Sequence, residues 1–412
     1  MDEILFENEV ALVLIVKNES RYIKEWLEYH YRIGVDKFYI YDNDSEDRSE
    51  LLKILDPWIQ SGIVDLESVA GVRRQMPVYN DAIEKHRFDC RWMGFIDTDE
   101  FIYIKTRQNL PEFLNEHFQS KYGIAGLGIN WMMFGTNGKK SYEPIDVIER
   151  FTRRAPDNHP EHLQIKTIAN PRMILYIESP HHARYLMGVG CFDENSRLIL
   201  EHESDTISHE KIQVNHYFQK SYEEFIKKIS RGRADIGIYR DLDSELRSFL
   251  NEVEDLGLRD FWQQIKSQPL RKPIDHSSKK VLSNVREMLT PFLSKNTPSE
   301  ILQGQIEKLL TCLFLVRKSD LLNESDKKNL EEVILNLLMR TLRETGFDIS
   351  QAMLILSLRN NILETKFQVA TDVIELMFSQ IPKLIEIAED ATQHFQKFYL
   401  QQIQRDLSLI LN

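Results

Sequence analysis

The sequence predicts a doubly wound, Rossmann-like α/β domain over residues 1–240, followed by an all-α helical domain over residues 241–412. Three observations predict this organisation. Apolar runs of strand length alternate four times with helical patterns in the first hundred residues, which is typical of a parallel sheet covered by helices. Only three of the sixteen glycines lie beyond residue 241. From residue 297 onward, apolar residues recur at helical spacing in one segment after another.

The elements of the first domain follow from their apolar spacing. The first strand, Val10–Val16, is a continuous apolar run, as expected of a strand buried on both faces. The next helix places Trp26 and Leu27 on one face, and Gly34 suits the position just past its end. The later elements are strand 37–41, a helix around 51–55, strand 63–69, helix 74–89, strands 92–96 and 122–131, and an extended polar loop over 139–164. Strand and helix therefore alternate as in an open α/β sheet.

Three carboxylates, Asp97, Asp99 and Glu100, stand at the end of the fourth predicted strand. Asp97 and Asp99 are two residues apart, so both side chains can face one point just past the strand end. Two hard oxygen donors at that point suit a divalent cation that also holds phosphate oxygens. We expect Asp99 to bind Mn²⁺ or Mg²⁺ directly, and Asp97 to hold a ribose or a metal-bound water. The alternative is a solvated acidic turn, because Asp-x-Asp also occurs by chance.

Polar residues also follow the earlier strands of the predicted sheet. In open parallel sheets, ligands bind outside the carboxyl ends of the strands. The sequence has neither a Gly-x-Gly-x-x-Gly after its first strand nor a P-loop signature, which disfavours a glycine-cradled nucleotide. A nucleotide held by carboxylates and a metal remains. We expect its base and ribose to be lined by Lys17, Asn18, Glu19, Asp42, Gln75 and Asn80.

Composition excludes several classes of protein. The net charge of −12 argues against binding along a nucleic-acid backbone. The three cysteines are far apart and odd in number, which indicates no disulfide framework and favours a reducing, cytoplasmic location. The first residues lack the pattern of a signal peptide, and no apolar run reaches the roughly 20 residues that span a bilayer. We therefore expect a soluble protein that is at most peripheral to a membrane.

Nine motifs occur in order between residues 15 and 232. They are IVKNE, YDNDSED, QMPVYNDAI, FIDTDEF, WMMFGTNG, VIERF, KTIANP, SPHHARY and NHYFQKSYEEFIKKISRG. In this order they resemble GT-A glycosyltransferases of family 92 and the related family 2-like group. The resemblance implies a GT-A fold with a mixed sheet and a divalent metal at Asp-x-Asp. It also implies transfer of a sugar, with inversion, from a nucleotide-sugar, expected to be UDP-linked, to a glycan or another hydroxyl acceptor.

The resemblance also implies that a late histidine completes the metal shell. His181 and His216 both stand in matched motifs, and the choice between them stays open. A neutral imidazole can join oxygen ligands around manganese, whereas the alternative for each histidine is a structural hydrogen bond.

A basic cluster follows His216, and its members are Lys220, Lys227, Lys228, Arg231 and Arg233. Because the leaving group would be a nucleoside diphosphate, this cluster is a candidate pyrophosphate clamp, with Lys220 and Arg231 carrying the family match. The alternative is a solvated cationic helix face.

The acceptor side offers one aromatic residue and two acidic ones. Trp131 precedes a glycine-rich loop, where it is either a platform for a sugar ring or a core aromatic. The catalytic base cannot be Asp97 or Asp99, because a bound cation lowers their basicity. We choose Glu149, in the matched VIERF motif, over Asp146. The alternative for Glu149 is an ion pair with a neighbouring arginine.

The helical domain carries no clustered metal-ligand motif, so we expect it to govern assembly or acceptor approach. Its last predicted helix has an apolar face that packs within the domain or, alternatively, forms a homo-oligomer or partner surface. Two other functions stay open for the whole chain: a nucleotidyltransferase, which also uses an α/β sheet with carboxylate-bound metal, and a catalytically silent glycan- or nucleotide-binding protein.

Overall fold

The computed structural model describes residues 8–87, 89–106, 109–119, 124–185, 189–230 and 250–272, which form a mixed α/β unit. The predicted helical segments beyond residue 272 and the basic residues Arg231 and Arg233 lie outside the described residues. The helices are α1 Ser20–Arg32, α2 Arg48–Gln60, α3 Gln75–His86, α4 Leu110–Gln119, α5 Val147–Arg150, α6 Tyr222–Ser230 and α7 Gly257–Ile265.

The strands alternate with these helices in the first hundred residues, as predicted. They are β1 Asn8–Val16, β2 Lys37–Asp42, β3 Val64–Ser68, β4 Cys90–Phe95, β5 Glu100–Ile104, β6 Ile124–Met133, β7 Arg153–Arg154, β8 Ile165–Ala169, β9 Ile174–Ile177, β10 Ala183–Tyr185, β11 Gly190–Phe192, β12 Leu198–Ile199, β13 Ile212–His216 and β14 Val253–Glu254. Short 3₁₀ helices cover Pro160–Leu163 and Pro171–Met173.

Ten of the described strands form one sheet, mostly parallel. Its order is β12-β11-β6-β8-β4-β1-β2-β3, with β13 beside β6 and β5 beside β13. Strands β3, β2, β1 and β4 are parallel to one another, which confirms the predicted α/β alternation. Strand β8 runs antiparallel to both β4 and β6, and β5 runs antiparallel to β13. The sheet is therefore mixed, and its reversed strands matter for the site.

Strand β1 shows why the sheet is doubly wound. Its residues Val10, Leu12 and Leu14 pack in the core on the side of α1. The alternate residues Ala11 and Val13 pack on the other face, against α3. Successive side chains of a strand point to opposite faces, so an unbroken apolar run supplies two cores at once. The predicted central position of this strand is confirmed, since β2 and β4 flank it in parallel.

Gly34 ends the first helix, as predicted. Its φ of +116° lies in a region that residues with a side chain rarely adopt. A Cβ added here would also lie 2.5 Å from Pro111 Cδ, at the start of α4. The chain can therefore turn from α1 into β2 against α4 only with glycine at this position.

The segment predicted as an extended loop over residues 139–164 contains α5, β7 and a 3₁₀ helix. Helix α5 begins there because the carboxyl oxygens of a residue in another helix satisfy its first amide groups. Glu25 of α1 accepts hydrogen bonds from the backbone N–H groups of Val147, at 2.7 Å, and Ile148, at 2.9 Å. The sequence of residues 139–164 alone could not predict this helix, because the residue that caps it is more than 120 positions earlier in the chain.

Residues 250–272 pack against the α/β unit, although they follow the predicted boundary at residue 240. Leu250, Leu258 and Trp262 are buried in the core that also contains β1 and α1. The indole N–H of Trp262 donates to Asp146 Oδ2 at 2.9 Å. The described core thus includes α7, whereas the extent of the helical domain stays a prediction.

Candidate functional site

Two parallel strands end, and two reversed strands begin, at one edge of the sheet. Asp97 follows the end of β4, and His216 is the last residue of β13. Strand β5 runs the opposite way, so its first residue Glu100 pairs with His216 and brings Asp99 to the same edge. Strand β8 is also reversed, which places Lys166 near its beginning at this edge. Two adjoining clusters result.

The first, which we call the Lys166 cluster, comprises Lys166, Asp97, Glu100, Gln75 and Tyr79. Lys166 is fully buried, and its Nζ lies 2.8 Å from Asp97 Oδ2 and 3.2 Å from Glu100 Oε2. Burial raises the pKa of Glu100 to about 8, although Lys166 opposes this shift. Burial also acts to lower the pKa of Lys166, but Asp97 and Glu100 outweigh it and raise that pKa. Lys166 therefore carries its charge.

The remaining partners of Asp97 fix its second oxygen. Its Oδ1 accepts hydrogen bonds from Gln75 Nε2 and from the Tyr79 hydroxyl, each at 3.2 Å. Glu100 Oε2 also accepts from the backbone N–H of Asp97 at 2.9 Å. The side chain of Asp97 is nonetheless 33% exposed, whereas those of Lys166 and Glu100 are fully buried. The cluster thus presents one oriented carboxylate to solvent.

The second, which we call the Asp99 cluster, comprises Asp99, His216, Lys228, Trp131 and His181. Asp99 Oδ2 contacts the ammonium group of Lys228 and lies 3.6 Å from His216 Nε2. Burial acts to raise the pKa of Asp99, but Lys228 and His216 outweigh it and hold this pKa well below its usual range. Asp99 is therefore a buried, charged carboxylate whose main partner comes from α6.

The two histidines flank the ring of Trp131. The centroid of Trp131 lies 4.9 Å from that of His181 and 4.2 Å from that of His216. His181 Nδ1 lies 2.9 Å from the carbonyl oxygen of Ile165, which can only accept, so Nδ1 carries the proton and Nε2 the lone pair. Burial lowers the pKa of His181 to about 3 and that of His216 to about 4. Both rings are therefore neutral near pH 7.

The two clusters together provide only some of the ligands that a metal ion needs. Among the residues that the structure describes, no three His, Cys, Asp or Glu side chains stand close enough to form a ready metal site. Asp99 and His216 do adjoin, and the buried Nδ1 of His216 has no hydrogen-bond partner within the described part of the chain. Lys166 engages Asp97 Oδ2 and Lys228 engages Asp99 Oδ2, so a cation would compete with an ammonium group at either carboxylate. Coordination of a metal by Asp97, Asp99, His181 and His216 stays a prediction.

The predicted nucleotide residues lie along the same edge. Lys17, Asn18 and Glu19 follow β1, and Asp42 ends β2. Asn18 has a left-handed φ of +56°, and its backbone N–H donates to Ser45 Oγ at 3.0 Å. The backbone N–H of Ser45 in turn donates to Asp42 Oδ1 at 3.2 Å. One turn therefore joins the ends of β1 and β2 into a rim beside the Lys166 cluster.

Two of the predicted nucleotide residues on α3 have different surroundings. Gln75 belongs to the Lys166 cluster and is close to Asp97. Asn80 is committed to the main chain, because its Nδ2 donates to Ile177 O at 3.2 Å and its Oδ1 accepts from Ile177 N–H at 2.8 Å. Asn80 thus ties α3 to β9, and its contact with a nucleotide stays a prediction.

The basic residues around α6 divide into two groups. Lys228 contacts Asp99, and Lys220, which has a left-handed φ of +51°, lies 4.2 Å above the ring of Tyr22. Lys220 also contributes to the lowered pKa of Asp99. Lys227 instead pairs with Glu223 at 2.6 Å on the exposed face of the helix. Lys220 and Lys228 therefore face the site, whereas Lys227 belongs to the solvated face.

Both candidate bases lie against α7. The ammonium group of Lys266 contacts Glu149 Oε1 and lies 3.8 Å from Asp146 Oδ2. The ion pair considered for Glu149 thus exists, but its partner is Lys266, because Arg150 forms a buried pair with Glu224 at 2.8 Å. The assignment of Glu149 as the base stays a prediction.

Sequence reasoning missed Lys166, Tyr79 and the specific contact of Lys228. Lys166 stands in the KTIANP motif, inside a strand whose five residues are all buried. A charged side chain within an apolar strand needs a buried partner of opposite charge, and that was the available signal. Tyr79 gave no such signal, because a tyrosine on the buried face of a helix has the same sequence pattern whether or not its hydroxyl group has a role in a site.

The fold and the two clusters define an α/β protein with paired carboxylates and lysines at the carboxyl edge of its sheet. Residues 13–246 match the family model of glycosyltransferase family 92, so the chain belongs to this family. The resemblance of the nine motifs is thereby confirmed.

Individual relatives agree with this membership. A glycosyltransferase family 92 protein of Ricinus communis is 26% identical over 273 residues, which cover 61% of this chain and 46% of the relative. A galactan beta-1,4-galactosyltransferase of Arabidopsis thaliana is 31% identical over 100 residues, covering 22% of this chain and 19% of the relative. The chain spans about half the length, or less, of the curated relatives that it matches.

One solved structure aligns with nearly the whole chain. The crystal structure of S. aureus TarS in complex with UDP aligns over 98% of this chain and 91% of that chain, with 13% identity. Its TM-score of 0.28 is too low to support an inference about this protein. Within the described ranges, no helix is long and apolar enough to cross a membrane.

Proposed function

We propose that this protein is a metal-dependent glycosyltransferase of the GT-A type. It transfers a hexose from a UDP-sugar to a hydroxyl group of a glycan, with inversion, in polysaccharide biosynthesis. The observation that carries the proposal is the pair of carboxylates at the carboxyl edge of the sheet, in a chain of family 92. Because several relatives are named galactosyltransferases, UDP-galactose is the first donor to test.

The two carboxylates have separate roles in this proposal. Asp99 and His216 hold a divalent cation, Mn²⁺ or Mg²⁺, since they adjoin and His216 is neutral. When bound, such a cation stabilises the negative charge of the departing diphosphate. Asp97 accepts a hydrogen bond from a ribose hydroxyl, because its partners orient it while one third of its side chain stays exposed.

Cationic side chains bind the diphosphate. Lys220 and Lys228 approach Asp99 from α6 and the turn before it, so their ammonium groups can exchange that carboxylate for phosphate oxygens. The rim formed after β1 and β2 binds the base and ribose. We assign Trp131 to the acceptor side, although its ring is largely buried against His181 and His216.

The base accepts the proton of the attacking hydroxyl. As the acceptor oxygen bonds to the anomeric carbon from the opposite side, the bond to the diphosphate breaks and UDP leaves. Glu149 is the proposed base and Asp146 the alternative. Either carboxylate must release Lys266 to accept a proton. The helical domain over residues 241–412 governs assembly or acceptor approach. The protein works in the cytoplasm.

The test is product analysis with the full chain. Purified protein is incubated with UDP-galactose, UDP-glucose or UDP-N-acetylglucosamine and Mn²⁺, with and without a chelator. Release of UDP that stops with the chelator supports sugar transfer. Release of pyrophosphate from a nucleoside triphosphate indicates a nucleotidyltransferase, and nucleotide binding without turnover indicates a silent binding protein. Release of UDP that continues in excess chelator contradicts the metal dependence.

A further inference from the structure

Lys166 lies beneath the candidate site but cannot touch a ligand. Its side chain has no exposed surface, and neither has that of Glu100 beside it. Burying an ammonium group costs free energy that only good geometry with charged partners recovers. The partners of Lys166 are two carboxylates, Asp97 at 2.8 Å and Glu100 at 3.2 Å.

The cluster converges on Asp97. Tyr79 is fully buried and Gln75 is 6% exposed, and both donate to Asp97 Oδ1. Lys166 donates to Oδ2, so the two oxygens have donors on both sides. Asp97 alone has a substantially exposed side chain, at 33%. Three buried side chains thus donate to one carboxylate that solvent and ligands can reach.

Without Lys166, two effects would displace this carboxylate. The terminal torsion of an aspartate is broad, so Oδ2 would no longer have a fixed direction. The Asp97 carboxylate would also lose the buried positive charge that balances it, so water outside the cluster would become its better partner. Asp97 would then turn outward from its present orientation.

We infer that Lys166 is a positioning residue for donor binding, which holds Asp97 in the one orientation that accepts a donor hydroxyl. This inference rests on the proposed function, since it takes Asp97 as a donor contact. It adds that the affinity for the nucleotide-sugar depends on Lys166, which the nucleotide-sugar does not contact. Lys166 acts by fixing the orientation of Asp97.

The experiment is a double-mutant cycle in the full chain. The Kd of UDP, in the presence of Mn²⁺, is measured by calorimetry for the wild type, Lys166→Met, Asp97→Asn and the double variant. Lys166→Met should weaken UDP binding by roughly ten-fold to a hundred-fold, the usual scale for a lost charged hydrogen bond. In the Asp97→Asn background, the same change should weaken binding by less than about two-fold, because coupled residues are not additive.

Arg172→Met is the matched control. Arg172 is also a buried cation, but it donates to the backbone carbonyls of Arg87, Cys90 and Arg91 near the start of β4, away from Asp97. This variant should lose thermal stability and keep the wild-type Kd for UDP. An equal loss of UDP affinity in Arg172→Met would mean that any buried cation matters, which would overturn the inference.

A second variant keeps the test decisive if Lys166→Met does not fold. Lys166→Met combined with Glu100→Gln removes the buried ammonium group together with the ionisable carboxyl group beside it, and it should fold and bind UDP as weakly as the single variant. Wild-type affinity in either folded variant, or additive losses in the cycle, overturns the positioning role. If the wild-type chain binds neither UDP nor UDP-galactose, the proposed function itself fails, a result that is distinct from wild-type binding retained by Lys166→Met.

Discussion

Lys228 occupies the charge position beside Asp99 that a divalent cation would take, and this gives a sharp prediction for Lys228→Met. The ammonium group contacts Asp99 Oδ2, lies 3.3 Å from the carbonyl oxygen of Phe218 and sits 4.2 Å above the ring of Phe218. A cation that binds Asp99 competes with this group for the same carboxylate. Removing Lys228 therefore removes a competitor from the site and should strengthen the binding of Mn²⁺.

The magnitude follows from the contact. A hydrogen bond to a charged partner contributes about 1.5–3 kcal/mol, and every 1.4 kcal/mol is a factor of about ten in Kd. The contact is largely shielded, since the side chains of Lys228 and Asp99 are 24% and 8% exposed, so solvent weakens it little. Lys228→Met should accordingly bind Mn²⁺ roughly ten-fold to a hundred-fold more tightly, while it loses affinity for UDP.

The assay is a titration of free Mn²⁺ by electron paramagnetic resonance, which detects the metal without turnover. Lys227→Met is the matched control, because Lys227 is the adjacent lysine and pairs with Glu223 on the solvated face of α6. Exposed pairs contribute about 0–1 kcal/mol, so this variant should bind Mn²⁺ like the wild type. Unchanged or weaker Mn²⁺ binding by Lys228→Met would refute the competition.

Three further predictions concern the carboxylates. Asp99→Asn should abolish metal-dependent release of UDP with an unchanged circular dichroism spectrum, and full activity would remove Asp99 from the metal site. Glu149→Gln should reduce turnover by roughly a hundred-fold or more with donor Kd unchanged; if it turns over normally and Asp146→Asn does not, Asp146 is the base. Burial raises the pKa of Glu25 to about 8, above the ordinary value of 4.5, so its contribution to stability is complete below about pH 4.5 and is lost as the pH rises towards 8. The melting temperature of Glu25→Gln should therefore rise relative to that of the wild type between pH 5 and pH 8, and a constant difference would contradict the shifted pKa.

The parallel half of the sheet could be predicted because each of its elements carries a local pattern. The run Val10–Val16 is apolar throughout, as a central strand needs, and Gly34 marks the end of α1 by a conformation that glycine favours. Asp97 and Asp99 could also be singled out, since they directly follow such a strand. These features depend on neighbours in sequence, which is the information that a single sequence contains.

The direction of β8 could not be predicted in this way. An apolar strand has the same pattern whether it runs parallel or antiparallel, because its side chains alternate with a period of two in both cases. In a parallel strand, Lys166 would lie at the far edge of the sheet. The reversal brings it beneath Asp97, and it also explains why a lysine in a buried strand has carboxylate partners 66 to 69 positions earlier.

The two aspartates of one short motif differ because they belong to strands of opposite direction. Asp97 follows β4, whose neighbour β8 supplies a buried lysine, so its charge is balanced from below and its exposed side stays available. Asp99 precedes β5, whose neighbour β13 supplies His216, and its cationic partner Lys228 comes from a separate helix. Lys166 is fully buried within a strand of the sheet, so its position is fixed. Lys228 is partly exposed on a helix, so its side chain can leave Asp99 while the fold stays intact. Asp97 is therefore suited to fixed recognition of a hydroxyl group, and Asp99 is suited to exchanging one cation for another.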